Sequence, residues 1–511
     1  MSTVLAASEV EWRRLSPRML LVHPVLEVGK ALPAILGVFV AGHSSGNANG
    51  GSRWSLGIAG IVIVFALLRW FTTRYQITAE QIQLRHGVLR RKTMAAPLDR
   101  VRTVDITSHL LHRMLGLSRV MVGTGTSDRK GRDRLILDGL TTDAANALRT
   151  ELLHRGARVT PRPDSAADNV VAVSDEPPVE EELARVDPAW LKYAPFTLTG
   201  AVTGLALLGL VWRVVTEGHV NLRSVTAYRV IAYHLEGWPL GLDIVTVLAA
   251  VLVFTVIAST VGYVLAFWHF RLTRHSGGTL HVSRGLITSR ATSIERGRLR
   301  GAELSEPLLL RSVGGARCLA IATGLRVGRG AERGGEILLP PAPRAVARRV
   351  AAAVIEASAP FDAVLAPHPT AARRRRILRA LGGSLAIMAS TGALVWLAGW
   401  PGWLMYLTVP PVVASLPLAI DRYRSLGHDV VDGFLVTRFG SIVRRRCVLD
   451  VNGVIGWNIR SSYFQRRQGL TSLTATTAAG RQKYRITDAA SIEAVRFADA
   501  AVSGLLTDFL A

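Results

Sequence analysis

Two short motifs in this 511-residue chain have the spacing of reactive sites. Gly42-His43-Ser44-Ser45-Gly46 matches G-x-S-x-G, in which a strained strand-to-helix elbow exposes a nucleophilic serine. Here it falls in the outer turn between two apolar runs, without the preceding strand that the elbow needs, so a flexible Gly/Ser turn is the favoured reading. Ser127-Asp128-Arg129-Lys130 matches S-x-x-K, but it sits in a polar loop between expected strands and carries little weight. No phosphate-cradling loop, H-E-x-x-H, paired C-x-x-C or EF-hand loop occurs, and the histidines show no helix-spaced pairing with acids. Neither a metal, a cofactor nor a catalytic constellation is expected. Cys318 and Cys447 are far apart and read as small buried or half-buried thiols in a reducing compartment.

The remaining chemistry is positive charge. Lys+Arg number 61 against 37 Asp+Glu, a net charge of +24, in a chain that is 49% hydrophobic with a mean hydropathy of +0.28. That combination excludes a disordered chain and a disulfide scaffold. Basic clusters follow three glycine turns: Arg90-Arg91-Lys92, Arg290, and Arg444-Arg445-Arg446. On a strand two residues of a triplet share a face. Beside an anionic leaflet each such cation contributes about 1 kcal/mol of attraction. The clusters form either a patch facing lipid or a partner, or solvated strand edges that resist aggregation. Nucleic acid is not expected, because aromatic interleaving is missing.

Six apolar runs in three pairs approach the length of a bilayer crossing: Leu20 to Gly42 with Trp54 to Trp70, Pro195 to Trp212 with Leu242 to Trp268, and Ile377 to Trp400 with Gly402 to Ile420. Tryptophans mark their ends, and the segments between pairs carry the Arg and Lys that stay on the cytoplasmic side, Arg373 to Arg376 among them. A multi-pass plasma-membrane protein with both termini cytoplasmic is expected.

The segment after each pair repeats one plan. An alternating stretch reaches a turn glycine at Gly87, Gly285 or Gly440, and a second glycine, Gly116, Gly314 or Gly469, follows 29 positions later in every copy. Arg113, Arg311 and Arg466 each precede that second glycine by three and are expected to cap or pair structurally. Extended Ser/Thr-rich stretches and an Ala-rich amphipathic helix close each copy: Asp143 to Leu153, Arg344 to Ala357 and Ser491 to Leu506. The expected division is helix pairs at 16–73, 187–269 and 359–421, the last with its linker, and soluble domains at 74–155, 270–358 and 422–508. An acidic, Pro-rich tether occupies 156–186.

The stretch RYQITAEQIQLRHGVLRRKTMAAPLDRVRTVDITSHLLHRMLGLSRVMV, from Arg74 to Val122, resembles the membrane-flanked bacterial pleckstrin-homology-like domain, often present in two or three copies per chain. The second copy keeps the frame with Ile294-Glu295-Arg296-Gly297-Arg298 in place of Pro97-Leu98-Asp99-Arg100-Val101, and the third is similar mainly in spacing. The resemblance implies an α+β membrane protein in which each helix hairpin is followed by a strongly bent antiparallel β-barrel closed by its C-terminal helix. It assigns no catalytic residues, and it points to envelope maintenance or tolerance of membrane-active peptides. The chain is therefore expected to be a non-enzymatic platform for anionic lipid headgroups or a membrane or cytoplasmic protein. The contrasting expectation is a membrane enzyme or lipid carrier with a groove between hairpins, in which Ser44 or the basic strands meet the headgroup.

Overall fold

A computed structural model describes residues 12–27, 48–78, 80–87, 92–98, 103–123, 135–157, 180–197, 240–275, 278–325 and 336–502, with single positions at 31, 202, 204, 206, 209 and 213. Both reactive-looking motifs, Arg90, Arg91, most of the first and third apolar runs and most of the Pro-rich tether lie outside the described residues. The chain divides into two compact units: residues 1–180 with 275–296, and residues 181–274 with 297–511. The middle segment is thus shared between the two.

In the first unit, β1 (Arg13–Arg14), β2 (Arg74–Ile77), β3 (Gln81–His86) and β4 (Lys92–Pro97) form a four-stranded antiparallel sheet in that order. Strict alternation in QIQLRH turns Ile82 and Leu84 into the core, against Ala96 from β4. Next come β5 (Thr103–His109), the short helix Leu110–Met114, β6 (Leu117–Gly123), β7 (Leu135–Thr141) and the helix Thr142–Ala157. Of the following strands, β8 (Glu181–Arg185) and β9 (Arg271–Arg274) belong to the second unit, and β10 (Leu280–Arg284) and β11 (Thr288–Ile294) return to the first. There β7, β6, β5, β11 and β10 lie side by side, all antiparallel.

The second unit continues with β12 (Leu299–Pro307), the helix Leu308–Ser312, β13 (Gly315–Ala322), β14 (Ile337–Pro343) and the helix Arg344–Ile355. That helix buries Ala347, Val350, Ala351 and Val354, the one-face spacing of an amphipathic helix. After two long helices come β15 (Gly427–Val431), β16 (Phe434–Phe439), β17 (Val443–Asp450), β18 (Gly456–Arg460), the short helix Tyr463–Arg466, β19 (Leu470–Thr476), β20 (Lys483–Ala490) and the helix Ser491–Ala501. Two sheets result, ordered β14-β13-β12-β17-β16-β15 and β18-β19-β20. The acidic end of the sequence-expected tether is itself a strand: Glu181 of β8 stands opposite Arg274 of β9, and Glu182 pairs with Arg271 at 3.4 Å.

Among the described residues three helices are long and apolar enough to cross a membrane: Leu248–Phe267, Thr370–Ala398 and Leu404–Arg424. They leave Val253, Ile257, Ile387, Trp396, Leu407 and Val413 exposed, as lipid-facing helices do. The run Trp54 to Trp70 lies within the helix Ala48–Thr72, whose apolar part, Leu56–Thr72, is shorter. Gly399, at φ +67°, ends the helix Thr370–Ala398 in the left-handed conformation that a C-terminal glycine permits.

All six landmark glycines have positive φ: Gly87, Gly285 and Gly440 at 130°, 107° and 98°, and Gly116, Gly314 and Gly469 at 66°, 73° and 63°. The second set ends the short helices, where the N–H of Gly116, Gly314 or Gly469 donates to the carbonyl of Arg113, Arg311 or Arg466 at 3.0–3.1 Å. Its carbonyl in turn accepts from Thr142, Arg344 or Ser491, the first residue of each terminal helix, at 2.9–3.0 Å. A left-handed glycine therefore fixes where each closing helix begins.

A basic groove beside two long helices

An open groove of about 1320 Å³ lies within the second unit, between the ends of the helices Thr370–Ala398 and Leu404–Arg424 and one face of the sheet β18-β19-β20. Alternation builds its floor. In β20, Tyr484 and Ile486 turn into the core while Lys483, Arg485 and Thr487 turn to the groove. Across the ladder Arg485 stands opposite Thr474, itself opposite Asn458, and Lys483 opposite Thr476. The helices add Arg375, Arg376, Arg379 and Arg422, with Pro411, Ala414, Leu418 and Ala419 supplying an apolar side. The groove is therefore basic on its floor and rim and apolar along one wall.

One carboxylate anchors it. Asp488, 4% exposed at the side chain and at φ +62°, receives Arg375 Nη1 and, at 3.0 Å, Arg376 Nη2. Gln465 Nε2 donates to the same carboxylate at 2.8 Å and to Ser472 Oγ at 2.8 Å. Gln465 is fixed by a capping box with Ser462, so the short helix, β20 and the long helix are joined at one point. Burying an ionised carboxylate requires such multiple donors. Arg379, Arg422, Arg460, Lys483 and Arg485 have no ion-pair or side-chain hydrogen-bond partner among the described residues. A groove with uncompensated guanidinium and ammonium groups suits phosphate or carboxylate oxygens.

The sequence-derived basic clusters are placed differently. Lys92 is exposed at the start of β4, and Arg290 stands in β11 between Arg284 and Thr107. Arg444 Nη2 meets Asp421 at 2.8 Å, Arg445 Nη1 lies 3.5 Å from Glu303, and Arg446 donates to the carbonyls of Pro360 and Ala363 at 3.1 and 2.7 Å. Burial first, then Arg438, Arg348 and Arg344, pulls the Arg446 guanidinium down to about 10. Glu303 is wholly enclosed, and burial raises its carboxyl against the opposing pull of Arg481 and Arg317. The third triplet thus holds the fold together rather than lining the groove. Of the repeated arginines, Arg113 Nη1 donates to the Leu286 carbonyl at 3.0 Å and Arg311 Nη2 pairs with Asp421 at 3.0 Å.

In the sequence Arg375 and Arg376 read as orientation markers, and nothing in it alone singles out Arg460, Lys483 and Arg485. The signal was the alternation K-Y-R-I-T in Lys483 to Thr487, which gives a basic face once strand pairing is known. Among the described residues no cluster of three His, Cys, Asp or Glu could hold a metal. Cys318 and Cys447 are free and buried, as expected from sequence.

No curated protein and no solved structure matches the chain. The bacterial PH domain family does match, over residues 26–156 and 377–502, the second stretch containing most of the groove-lining residues. Because those two stretches make up about half of its length, the chain belongs to the bacterial PH domain family.

Proposed function

We infer that this protein is a non-enzymatic membrane platform: helix hairpins, six helices in all, hold three PH-like modules at the cytoplasmic face. The basic groove receives the phosphate of an anionic lipid headgroup. The carrying observation is the set Arg379, Arg422, Arg460, Lys483 and Arg485, without carboxylate partners among the described residues and adjoining two helices of membrane-crossing length. A headgroup at that level would meet the cations while its acyl chains follow the apolar wall of Pro411, Ala414 and Leu418. The threefold recurrence of left-handed glycine, arginine carbonyl and closing helix supports a third module, in the middle segment, alongside the two matched stretches. Envelope maintenance, including tolerance of membrane-active peptides, is the role this arrangement serves in our reading.

The test uses the full chain in mild detergent, with thermal unfolding followed as phosphatidylglycerol or phosphatidylcholine is added. Selective stabilisation by phosphatidylglycerol is expected, because a ligand bound to the folded state alone raises its stability. Arg460→Gln with Lys483→Gln and Arg485→Gln should abolish that selectivity. Equal responses to the two lipids, or selectivity surviving the triple substitution, would overturn the reading. Sensitivity of a deletion strain to membrane-active peptides, complemented with Ser44→Ala, tests the non-enzymatic assignment: loss of rescue by that variant would favour a hydrolytic role.

A further inference from the structure

The sheets contain two junctions at which consecutive segments exchange strands, and the two junctions have one register. At the first, β5 pairs antiparallel with β11, placing His109, seven residues before Gly116, opposite Thr288, three residues after Gly285. At the second, β12 pairs antiparallel with β17, placing Pro307, seven residues before Gly314, opposite Val443, three residues after Gly440. Each segment thus offers the strand before its short helix to the strand after the next segment's turn glycine. Applied a third time, the rule leaves over β18 from the last segment and β4 from the first. Both are sheet-edge strands among the described residues, with β4 paired only to β3 and β18 only to β19.

Two observations on β18, and the open edge that β18 and β4 share, mark these edges as incomplete. Ile459, ten residues before Gly469, corresponds to Ile106 and Leu304, ten before Gly116 and Gly314. The latter two are 7% and 3% exposed at the filled junctions, whereas Ile459 is 44% exposed. Arg113 and Arg311 have partners across their junctions, at Leu286 and Asp421, but the Arg466 side chain has none among the described residues. Finally, an open edge of unpaired N–H and C=O groups is a template for another strand.

We propose that β18 of one chain pairs with β4 of a second copy, in the register already used twice within the chain, so that Ile459 faces Thr93 and Trp457 faces Ala95. The contact is head-to-tail and joins copies into a ring or a row in the membrane plane, according to whether the rotation closes. Like charge at Arg460 opposite Lys92 does not forbid it. This chain already sets Arg74 opposite Arg85, Arg284 opposite Arg290 and Arg438 opposite Arg446, so such an opposition, though destabilising, is one its sheets already accept. The inference rests on the three-segment reading, and the test separates the two.

Thr93→Cys and Ile459→Cys are introduced separately into full-length chains carrying different tags, which are coexpressed in one membrane, extracted in mild detergent and oxidised. Cα atoms in directly opposed strand residues are about 4.5–5.5 Å apart, within disulfide reach, and the native thiols Cys318 and Cys447 are buried. A disulfide-linked heterodimer is expected. Asn458→Cys, one residue out of register and on the other face, should link to Thr93→Cys at least about fivefold less, because neighbouring strand residues point to opposite sides. Ile106→Cys with Ala291→Cys in one chain, opposed at the first junction, is the internal control. If the control links and the mixed pair does not, or if Asn458→Cys links equally well, the assembly is refuted while the three-segment reading stands. If the control fails in the folded chain, the shared register itself is wrong and both fall.

Discussion

Arg311 Nη2 lies 3.0 Å from the Asp421 carboxylate, joining the short helix after β12 to the last turn of the helix Leu404–Arg424. Arg444 Nη2 meets the other carboxylate oxygen at 2.8 Å and Ser441 Oγ donates at 2.8 Å, so one acid organises a landmark arginine, a turn residue and a basic strand. Asp421→Asn should leave two half-buried guanidiniums without a counter-charge. The expected loss is about 1–3 kcal/mol, the range for stranding partners of a charged hydrogen bond. Ser441→Ala should cost less, about 1 kcal/mol. Thermal unfolding of the two variants beside the parent chain measures both, and an unchanged midpoint in Asp421→Asn would show the bridge to be idle.

The two basic sets should separate under the same substitution. Changing Arg444, Arg445 and Arg446 to Gln is expected to lower the unfolding midpoint, because their partners are Asp421, Glu303 and the carbonyls of Pro360 and Ala363. Changing Arg460, Lys483 and Arg485 to Gln is expected to leave the midpoint unchanged without lipid. It should weaken association with phosphatidylglycerol by about 1 kcal/mol per charge, roughly fivefold each. Midpoint and lipid titration, measured on both triple variants, give a crossed pattern if the assignment is right.

What could be read from residues alone follows from physics that is local in the chain. The turn glycines were legible because a tight turn needs positive φ and few other residues adopt it, and each of the six landmarks has it. The terminal helices were legible from one-face spacing such as Ala347, Val350, Ala351 and Val354. The groove was not, because Arg375 and Arg485 are far apart in sequence and meet across a helix end and a sheet face. Nor was the exchange of strands between segments, since alternation tells which face a residue takes and not which strand it will meet. The triplet Arg444 to Arg446 resembles a free patch in sequence because its countercharges, Glu303 and Asp421, come from other elements.

Acid should loosen the first unit through His281. Burial first, then the positive Arg149 and the neighbouring His275, pulls its imidazole from 6.5 down to about 4, and its Nδ1 lies 3.1 Å from Ser293 Oγ. In the unfolded chain the ring takes a proton near its ordinary value, so below about pH 6.5 the unfolded state binds more protons than the folded one. The stabilisation is complete above that value and is lost as pH falls towards the folded value near 4. His281→Gln should flatten that part of the stability profile. Unfolding midpoints of the two proteins between about pH 7.5 and about pH 4.5 test it, and parallel curves would exclude His281 as the source.

The landmark glycines should differ in what they tolerate, although all six have positive φ. A Cβ at Gly440 would lie 2.0 Å from the Val443 carbonyl oxygen, and one at Gly285 would lie 2.1 Å from that of Thr288. Both obstacles are backbone inside a hairpin, so neither can move aside without breaking the turn. A Cβ at Gly469, φ +63°, meets nothing within 4 Å. Gly469→Ala should therefore cost only the intrinsic left-handed penalty of about 1–2 kcal/mol. Gly440→Ala and Gly285→Ala should carry steric strain in addition and lose at least about 2–3 kcal/mol. Unfolding of the three variants ranks them directly. If Gly469→Ala proved the most damaging, the 29-residue landmark pair would owe its recurrence to something other than backbone geometry, such as a contact made at the end of the last short helix.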